Sequence, residues 1–186
     1  MRTETLVRIV DKSVTRTLRL DRKLDDAISR RAAYEHISVN FLVNRCLQKY
    51  LEWDIPSDEF GMVSVSRDLI RKLFRGLDDE RIDHIGRENA REYFKTVTET
   101  LGGEFTEASA IDLIKRVGVH GRRFDFNIEE AHDGLPRRLV IRHDDGLPIS
   151  KFYAAMADEM FHLLNKEAKI ATTESLCVIV VGPQNR

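Results

Sequence analysis

The chain has 186 residues, enough for one large domain or two small ones, and 33% of them are charged at a net charge of −1. No apolar run reaches the roughly 18 residues of a membrane-spanning helix, and the highly charged start of the sequence is unlike a secretory signal. We therefore expect a cytoplasmic protein without membrane contact. Cys46 and Cys177 lie in separate apolar runs with no Cys-x-x-Cys pair, which excludes a zinc ribbon or redox motif and predicts two buried thiols.

The near-neutral net charge hides an uneven distribution along the chain. Residues 1–53 carry eleven lysines and arginines against seven aspartates and glutamates, whereas residues 54–186 carry nineteen against twenty-four. A basic first part joined to an acidic second part predicts that the first part binds a polyanion and the second does not.

The first predicted element is a strand at VTRTLRLD, residues 14–21, where apolar and polar side chains alternate. Val14, Leu18 and Leu20 fall on one face of an extended chain. No turn signal on either side makes a hairpin of this run. A single strand cannot satisfy the hydrogen-bonding groups along its own edges, so it needs a partner strand.

Two helices are predicted directly after this strand. Asp21 is a favourable N-cap for a helix over about 22–35. Ser38 is a second N-cap, and it opens a helix over about 39–53 that carries a wide apolar face. A strand and two helices of this length cannot bury a core alone, so we expect this part to dimerise.

Pro56-Ser57-Asp58 indicates a boundary that divides the chain into domains over 1–55 and 56–186. The second domain is predicted to be α+β, with about three helices followed by strand–strand–helix–strand in a small antiparallel sheet. The predicted helices cover 67–76, 78–101 (closed by Gly102-Gly103), 106–118 and 149–168. The predicted strands cover 62–66, 122–131, 137–144 and 175–182, with a turn over 132–136.

The first domain resembles the ribbon–helix–helix family of DNA-binding proteins. The matching features are the strand TRTLRL, the cap Asp21, Leu24 and Ile28 in the first helix, the turn HISVN, and FLVNRCLQKYLE in the second helix. The resemblance covers about a fifth of the chain. The family usually has glycine where His36 stands, so a positive φ at this position would strain the histidine.

The resemblance implies a dimer in which two strands pair antiparallel as a ribbon and four helices bury the face of Leu18 and Leu20. Such a ribbon fits the major groove of DNA, where alternating side chains read base edges. By resemblance, the base-reading residues are Thr15, Thr17 and Arg19. The implied phosphate contacts are Lys12, Arg16 and Arg22, together with the helix-opening amides of Ser38, Val39 and Asn40.

The second domain shows no catalytic constellation, no phosphate loop and no cofactor motif. Glu159 with His162, and His84 with Glu88, are spaced like pairs of metal ligands on one helix face, but solvated polar pairs explain them as well and no third ligand stands nearby. RRFDF and PRRLVIRHD place arginines and a histidine on two neighbouring strands. This face either binds an anion or a partner, or is a solvated sheet surface.

We therefore expect a sequence-specific transcriptional regulator that binds double-stranded DNA as a homodimer or tetramer, close to the nucleoid. The second domain would assemble copies or sense a small-molecule or protein effector, by analogy with other regulators. Three alternatives remain open: an antitoxin-type autoregulator, an architectural nucleoid protein, and a metabolic enzyme with a DNA-binding appendage. The absence of a catalytic constellation disfavours the enzyme.

Overall fold

A computed structural model describes residues 14–59, 61–96, 104–130 and 137–182 of the chain. These residues combine helices with a four-stranded antiparallel sheet, which confirms the α+β class. The chain divides into two compact units, Met1–Gln48 and Lys49–Arg186. Independent folding of the predicted domains 1–55 and 56–186 stays a prediction.

The first unit contains helix α1 (Arg22–Tyr34) and almost all of helix α2 (Val39–Lys49), which confirms both predicted helix starts. Asp21 caps α1, because its Oδ1 accepts a hydrogen bond from the backbone amide of Leu24 at 2.9 Å. Residues 14–20 form no strand within one chain. The predicted ribbon requires a second chain, so its pairing stays a prediction.

The second predicted helix runs past residue 53 and changes its geometry. A π-helical turn over Tyr50–Asp54 leads into the short helix α3 (Ile55–Glu59), so helical structure continues through Pro56-Ser57-Asp58. The domain boundary predicted there stays a prediction. In a regular helix the Pro56 ring would crowd the carbonyl of Glu52 and could donate no hydrogen bond to it. The wider π turn relieves this crowding, and the Glu52 carbonyl accepts a hydrogen bond from Arg116 at 3.4 Å.

The second unit contains four longer helices close to their predicted positions: α4 (Arg67–Arg75), α5 (Asp79–Lys95), α6 (Glu107–Val119) and α7 (Leu147–Leu163). Within the described ranges, none of the helices is long and apolar enough to cross a bilayer. The predicted strand over 62–66 is wrong, because this alternating stretch has no partner strand and Val63 and Val65 are exposed. The predicted stop at Gly102-Gly103 and the turn over 132–136 lie outside the described residues.

The sheet has the strand order β1-β2-β4-β3, and all neighbouring strands are antiparallel. Its strands are β1 (Asp125–Glu129), β2 (Arg137–Arg142), β3 (Ala168–Thr172) and β4 (Leu176–Val181). Sequence analysis missed β3, because it extended the preceding helix to residue 168. That helix ends instead at Leu163, where Asn165 takes a positive φ of 55° and turns the chain back toward the sheet.

One face of the sheet packs against the helices and forms the core. Leu139 and Ile141 of β2 and Cys177 and Ile179 of β4 lie at its centre and are almost completely buried. Helix α7 lies over these strands, and α5 packs along α7. The two helices approach closely at Gly86, where an added Cβ would lie 2.8 Å from the Cβ of Ala155.

Candidate nucleic-acid interface

The turn between α1 and α2 centres on His36, which has a positive φ of 55°. The amide of His36 donates to the carbonyl of Ala33 at 3.2 Å, and the amide of Ile37 donates to the carbonyl of Ala32 at 3.0 Å. This pair of bonds is a Schellman motif, which places its left-handed residue where glycine is preferred. The strain that the sequence predicts for His36 is therefore present.

Ser38 fixes the start of α2. Its hydroxyl accepts a hydrogen bond from the amide of Phe41 at 3.1 Å, which confirms the predicted cap. Within the described residues the amides of Val39 and Asn40 have no acceptor, and both residues are exposed. These two N–H groups are therefore available to a phosphate oxygen, as the prediction for this helix start requires.

The predicted base-reading residues, Thr15, Thr17 and Arg19, are all exposed and lie in the segment without helix or strand. Of the predicted phosphate contacts, Arg16 is exposed in the same segment and Arg22 is exposed at the first position of α1. Lys12 lies outside the described residues. DNA contact by any of these side chains stays a prediction.

Glu35 holds α1 and α2 together at the turn. Its carboxylate is paired with Arg31 of its own helix and with Arg45 of α2, the latter at 2.5 Å. The hydrogen bond from Arg45, followed by that from Arg31, lowers the pKa of Glu35 below its usual range. This carboxylate therefore links the end of α1 to α2 through an ion pair on the surface.

A large apolar surface is exposed on the first unit. Within its described part only Ala32 and Leu42 are buried apolar residues, whereas Leu18 is 59% exposed and Phe41 is 56% exposed. Val14, Leu20, Leu24, Val39 and Leu47 are exposed as well. Cys46 of α2 is also exposed, which corrects the prediction of two buried thiols. Cys177 is buried in the sheet, and burial raises the pKa of its thiol to about 12.

The histidine at the end of β2 belongs to a buried hydrogen-bonded network. The Nδ1 of His143 accepts from the amide of Asp145 at 3.1 Å, so the neutral ring carries its proton on Nε2, 2.9 Å from the hydroxyl of Ser150. That hydroxyl donates to the carbonyl of Thr173 at 2.6 Å. Ser150 is fully buried and its hydroxyl proton is already donated to a carbonyl oxygen. This serine–histidine pair therefore stabilises the structure and does not act as a nucleophile with its base.

Neither of the helix pairs spaced like metal ligands gains a third ligand among the described residues. Glu159 is buried and paired with Arg87 and Arg91, while His162 is exposed. Burial opposes the ionised form of Glu159, but the hydrogen bonds from Arg91 and Arg87 outweigh it and hold the pKa of this carboxyl below its usual range. Across the described ranges there is no group of three or more histidine, cysteine, aspartate or glutamate side chains that could hold a metal ion.

The arginines on β2 and in the loop that precedes β1 fall into two groups. Arg137 is paired with Glu107 and Glu130, and Arg138 is paired with Glu129. The second group, Arg122, Arg123 and Arg142, lines a cavity of about 620 Å³ together with His143 and Arg67. Sequence analysis missed Arg67, because it lies on α4, far away along the chain from the others.

No protein-family model matches the chain, and no curated protein is significantly similar to it. Among solved structures, the chain is similar to the Fe(II) unliganded H-NOX protein from K. algicida, with 13% sequence identity, a TM-score of 0.29, and coverage of 88% of this chain and 74% of that one. A mutant of the same protein gives 12% identity, a TM-score of 0.27, and coverage of 90% and 75%. TM-scores of this size carry no argument about fold or function.

Proposed function

We propose that the protein is a sequence-specific DNA-binding regulator whose first unit acts as a ribbon–helix–helix dimer. The single observation that carries this proposal is the exposed apolar surface formed by residues 14–20 and helices α1 and α2. The helices have the caps and the turn that the family resemblance requires, but one chain leaves their apolar side chains in water. A second copy would complete the fold.

The energetics favour dimerisation over an isolated monomer. A 48-residue unit whose described part, residues 14–48, buries two apolar side chains gains too little from that burial to offset the conformational entropy of folding. Burying the exposed leucines, valines and phenylalanine against a second copy would contribute about 1–2 kcal/mol for each side chain. Pairing of the two 14–20 segments would also satisfy the backbone groups that one chain leaves without partners.

In such a dimer the polar face of the ribbon would carry Thr15, Thr17 and Arg19 from each chain. An arginine can donate two hydrogen bonds to guanine, and a threonine can bond to a base edge or contact a thymine methyl group. The free amides of Val39 and Asn40 would bind a phosphate beside each end of the ribbon. Arg22 would strengthen this contact without reading sequence.

The proposal predicts different effects for two arginines that are close in sequence. Arg19→Ala should cost about 1–3 kcal/mol on the preferred site and relax the base preference at one position per half-site. Arg22→Ala should weaken binding to all sequences alike and lower the salt slope by about one unit. The measurement is selection of the full chain on random duplexes, followed by titration of selected and scrambled DNA at several salt concentrations.

Arg75→Ala on α4 is the matched control, because it removes an arginine from the acidic second unit, and it should leave DNA binding unchanged. If Arg19→Ala and Arg22→Ala weaken selected and scrambled DNA equally, the protein is an architectural DNA-coating protein and not a sequence reader. If the full chain binds no duplex at low salt, the DNA-binding proposal is wrong.

A further inference from the structure

The arginine-lined cavity of the second unit takes no part in the proposed DNA contact. It lies between the start of α4, the end of α6, the loop that precedes β1, and the end of β2. Its volume of about 620 Å³ falls in the range of small-molecule sites. Phe124, Phe126 and Val119 supply apolar parts of the lining, while most of the rest is polar.

The charges in this cavity are unbalanced. Arg67, Arg122, Arg123 and Arg142 line it, and only two carboxylates, Asp125 and Asp144, accompany them. His143 adds no charge, because both of its ring nitrogens are used in the neutral network and burial lowers its pKa. The cavity therefore has an excess of two positive charges inside a unit whose sequence is acidic.

These four guanidinium groups also differ in their pairing from most of the other described arginines of the second unit. Across the described residues none of the four forms an ion pair, and Arg67 donates instead to the backbone carbonyl of Arg122. The arginines of this unit that do contact carboxylates are Arg71, Arg87, Arg91, Arg116, Arg137 and Arg138. Grouped positive charges that outnumber the carboxylates beside them favour the binding of an anion.

Arg123 provides a further sign that an acceptor belongs here. Its Nε is buried and has no hydrogen-bond partner in the described part of the chain, although buried donors are almost always paired. Arg122 beside it takes a positive φ of 51°, a conformation that an arginine rarely adopts, and it lines the same cavity.

We propose that this cavity binds a small organic dianion, a molecule with two oxyanion charges and a compact apolar part. The charge of the ligand follows from the excess of two guanidinium groups, and its apolar part from the phenylalanine and valine side chains of the lining. Phosphate monoesters and dicarboxylates share this chemistry. Binding here would give the second unit an effector site, and the inference stands apart from the proposed DNA contact.

The test uses the full chain with four probes at equal ionic strength: phenyl phosphate, phthalate, benzoate and benzyl alcohol. Titration calorimetry should give saturable binding of one or both dianions at one site, at least about tenfold weaker binding of benzoate, and none of benzyl alcohol. A response to phenyl phosphate alone assigns a phosphate ester, and a response to phthalate alone assigns a dicarboxylate. Equal heats for all four probes would overturn the proposal.

Two variants place the binding in the cavity. Arg122→Asn keeps a residue that tolerates positive φ, and Arg142→Gln changes an exposed end of β2, so both should leave the fold intact. Each should weaken dianion binding by about tenfold. Arg138→Gln, on the same strand but outside the cavity, should change it by less than about twofold.

If both cavity variants bind the dianion with the affinity of the wild type, the assignment of the binding site to this cavity is wrong. A duplex of scrambled sequence should not displace the bound dianion. If the duplex displaces the dianion from the wild type and does not bind to the cavity variants, the arginines contact DNA phosphates instead. The small-molecule proposal is then wrong.

Discussion

His36 is the residue at which the predicted first unit departs most clearly from its resemblance to the ribbon–helix–helix family. The structure gives it a positive φ of 55° in the Schellman turn that ends α1. Glycine adopts this conformation without steric cost, although it also gains freedom in the unfolded chain. The histidine is therefore tolerated at a cost to the stability of the helix pair.

Replacing this residue by glycine should stabilise the first unit. His36→Gly should raise its stability by about 0.5–1 kcal/mol, measured by native-state hydrogen exchange of the amides at the end of α1. His84→Gly, at a regular position within the exposed face of α5, is the control and should lose about 0.5 kcal/mol in its own helix. A His36→Gly chain with faster exchange at α1 would contradict the conformational argument.

His143 should make the stability of the second unit depend on pH. Burial lowers its pKa in the folded chain below the unfolded value of about 6.5. The unfolded chain therefore takes up a proton first as the pH falls, and the stability that the neutral ring contributes above pH ~6.5 is lost toward and through its folded pKa. At pH 7.5, His143→Gln should be less stable than the wild type by about 2 kcal/mol, because it breaks a buried network.

This difference should shrink when the pH is lowered from 7.5 to 5. Urea unfolding followed by the fluorescence of Trp53, the only tryptophan, reports on this unit. The exposed pair His84 and Glu88 offers the control, since His84→Gln removes only a surface ion pair and should give a small difference. If the difference in stability between His143→Gln and the wild type is the same at pH 7.5 and at pH 5, the ring is not held neutral in the folded chain.

Single residues with a local role were predictable from the sequence, and residues whose role depends on distant neighbours were not. Asp21 and Ser38 act as caps because their oxygens reach amides three residues away, which is a property of local spacing. Arg67 joins the cavity arginines only because α4 packs against α7 and brings Arg67 to the carbonyl of Arg122. The exposure of Cys46 was also missed, because a pattern of apolar residues does not say whether one chain or two will cover them.

Among the helices and strands, the contact of α5 with α7 gives the sharpest test of how packing determines stability. Alanine is favoured over glycine in a helix by about 1 kcal/mol. At Gly86, however, an added Cβ would lie 2.8 Å from Ala155 Cβ and 2.9 Å from the carbonyl oxygen of Phe152. Gly86→Ala should therefore destabilise the second unit by about 1–3 kcal/mol despite its better helix propensity.

The Trp53 fluorescence of the full chain during urea unfolding measures this change. Gly76→Ala is the matched control, because the nearest atom to its added Cβ is 3.6 Å away, and it should stay within about 0.5 kcal/mol of the wild type. Equal stability of the two variants would mean that α5 can move away from α7 without loss.

Helices with clear caps were predicted well, and elements that depend on partners were not. The strand predicted over 62–66 has the alternating pattern but no neighbour, whereas β3 has a weak pattern and forms because β4 lies beside it. The hydrogen bond from Arg116 of α6 to the Glu52 carbonyl likewise joins residues far apart along the chain, so no local pattern indicates it.

At the scale of the whole molecule, the account rests on a first unit that one chain cannot complete. Its helices, caps and turn follow from the sequence, and its apolar residues are exposed on a single copy. The ribbon itself could be inferred only from resemblance, because pairing between two chains leaves no signal in the hydrogen bonds of one. The second unit has its own core, so its stability should not depend on the pairing of the first.

Hydrogen exchange of the amides in residues 14–20, measured on the full chain at increasing concentration, tests the shared ribbon most directly. In a two-stranded antiparallel ribbon, alternate amides bond to the other strand, so every second amide should exchange at least about tenfold more slowly than in a free peptide. This protection should rise with the fraction of dimer, as measured by sedimentation at the same concentrations. Amides that all exchange at free-peptide rates in a sample that is fully dimeric, or a chain that stays monomeric throughout, would contradict the account.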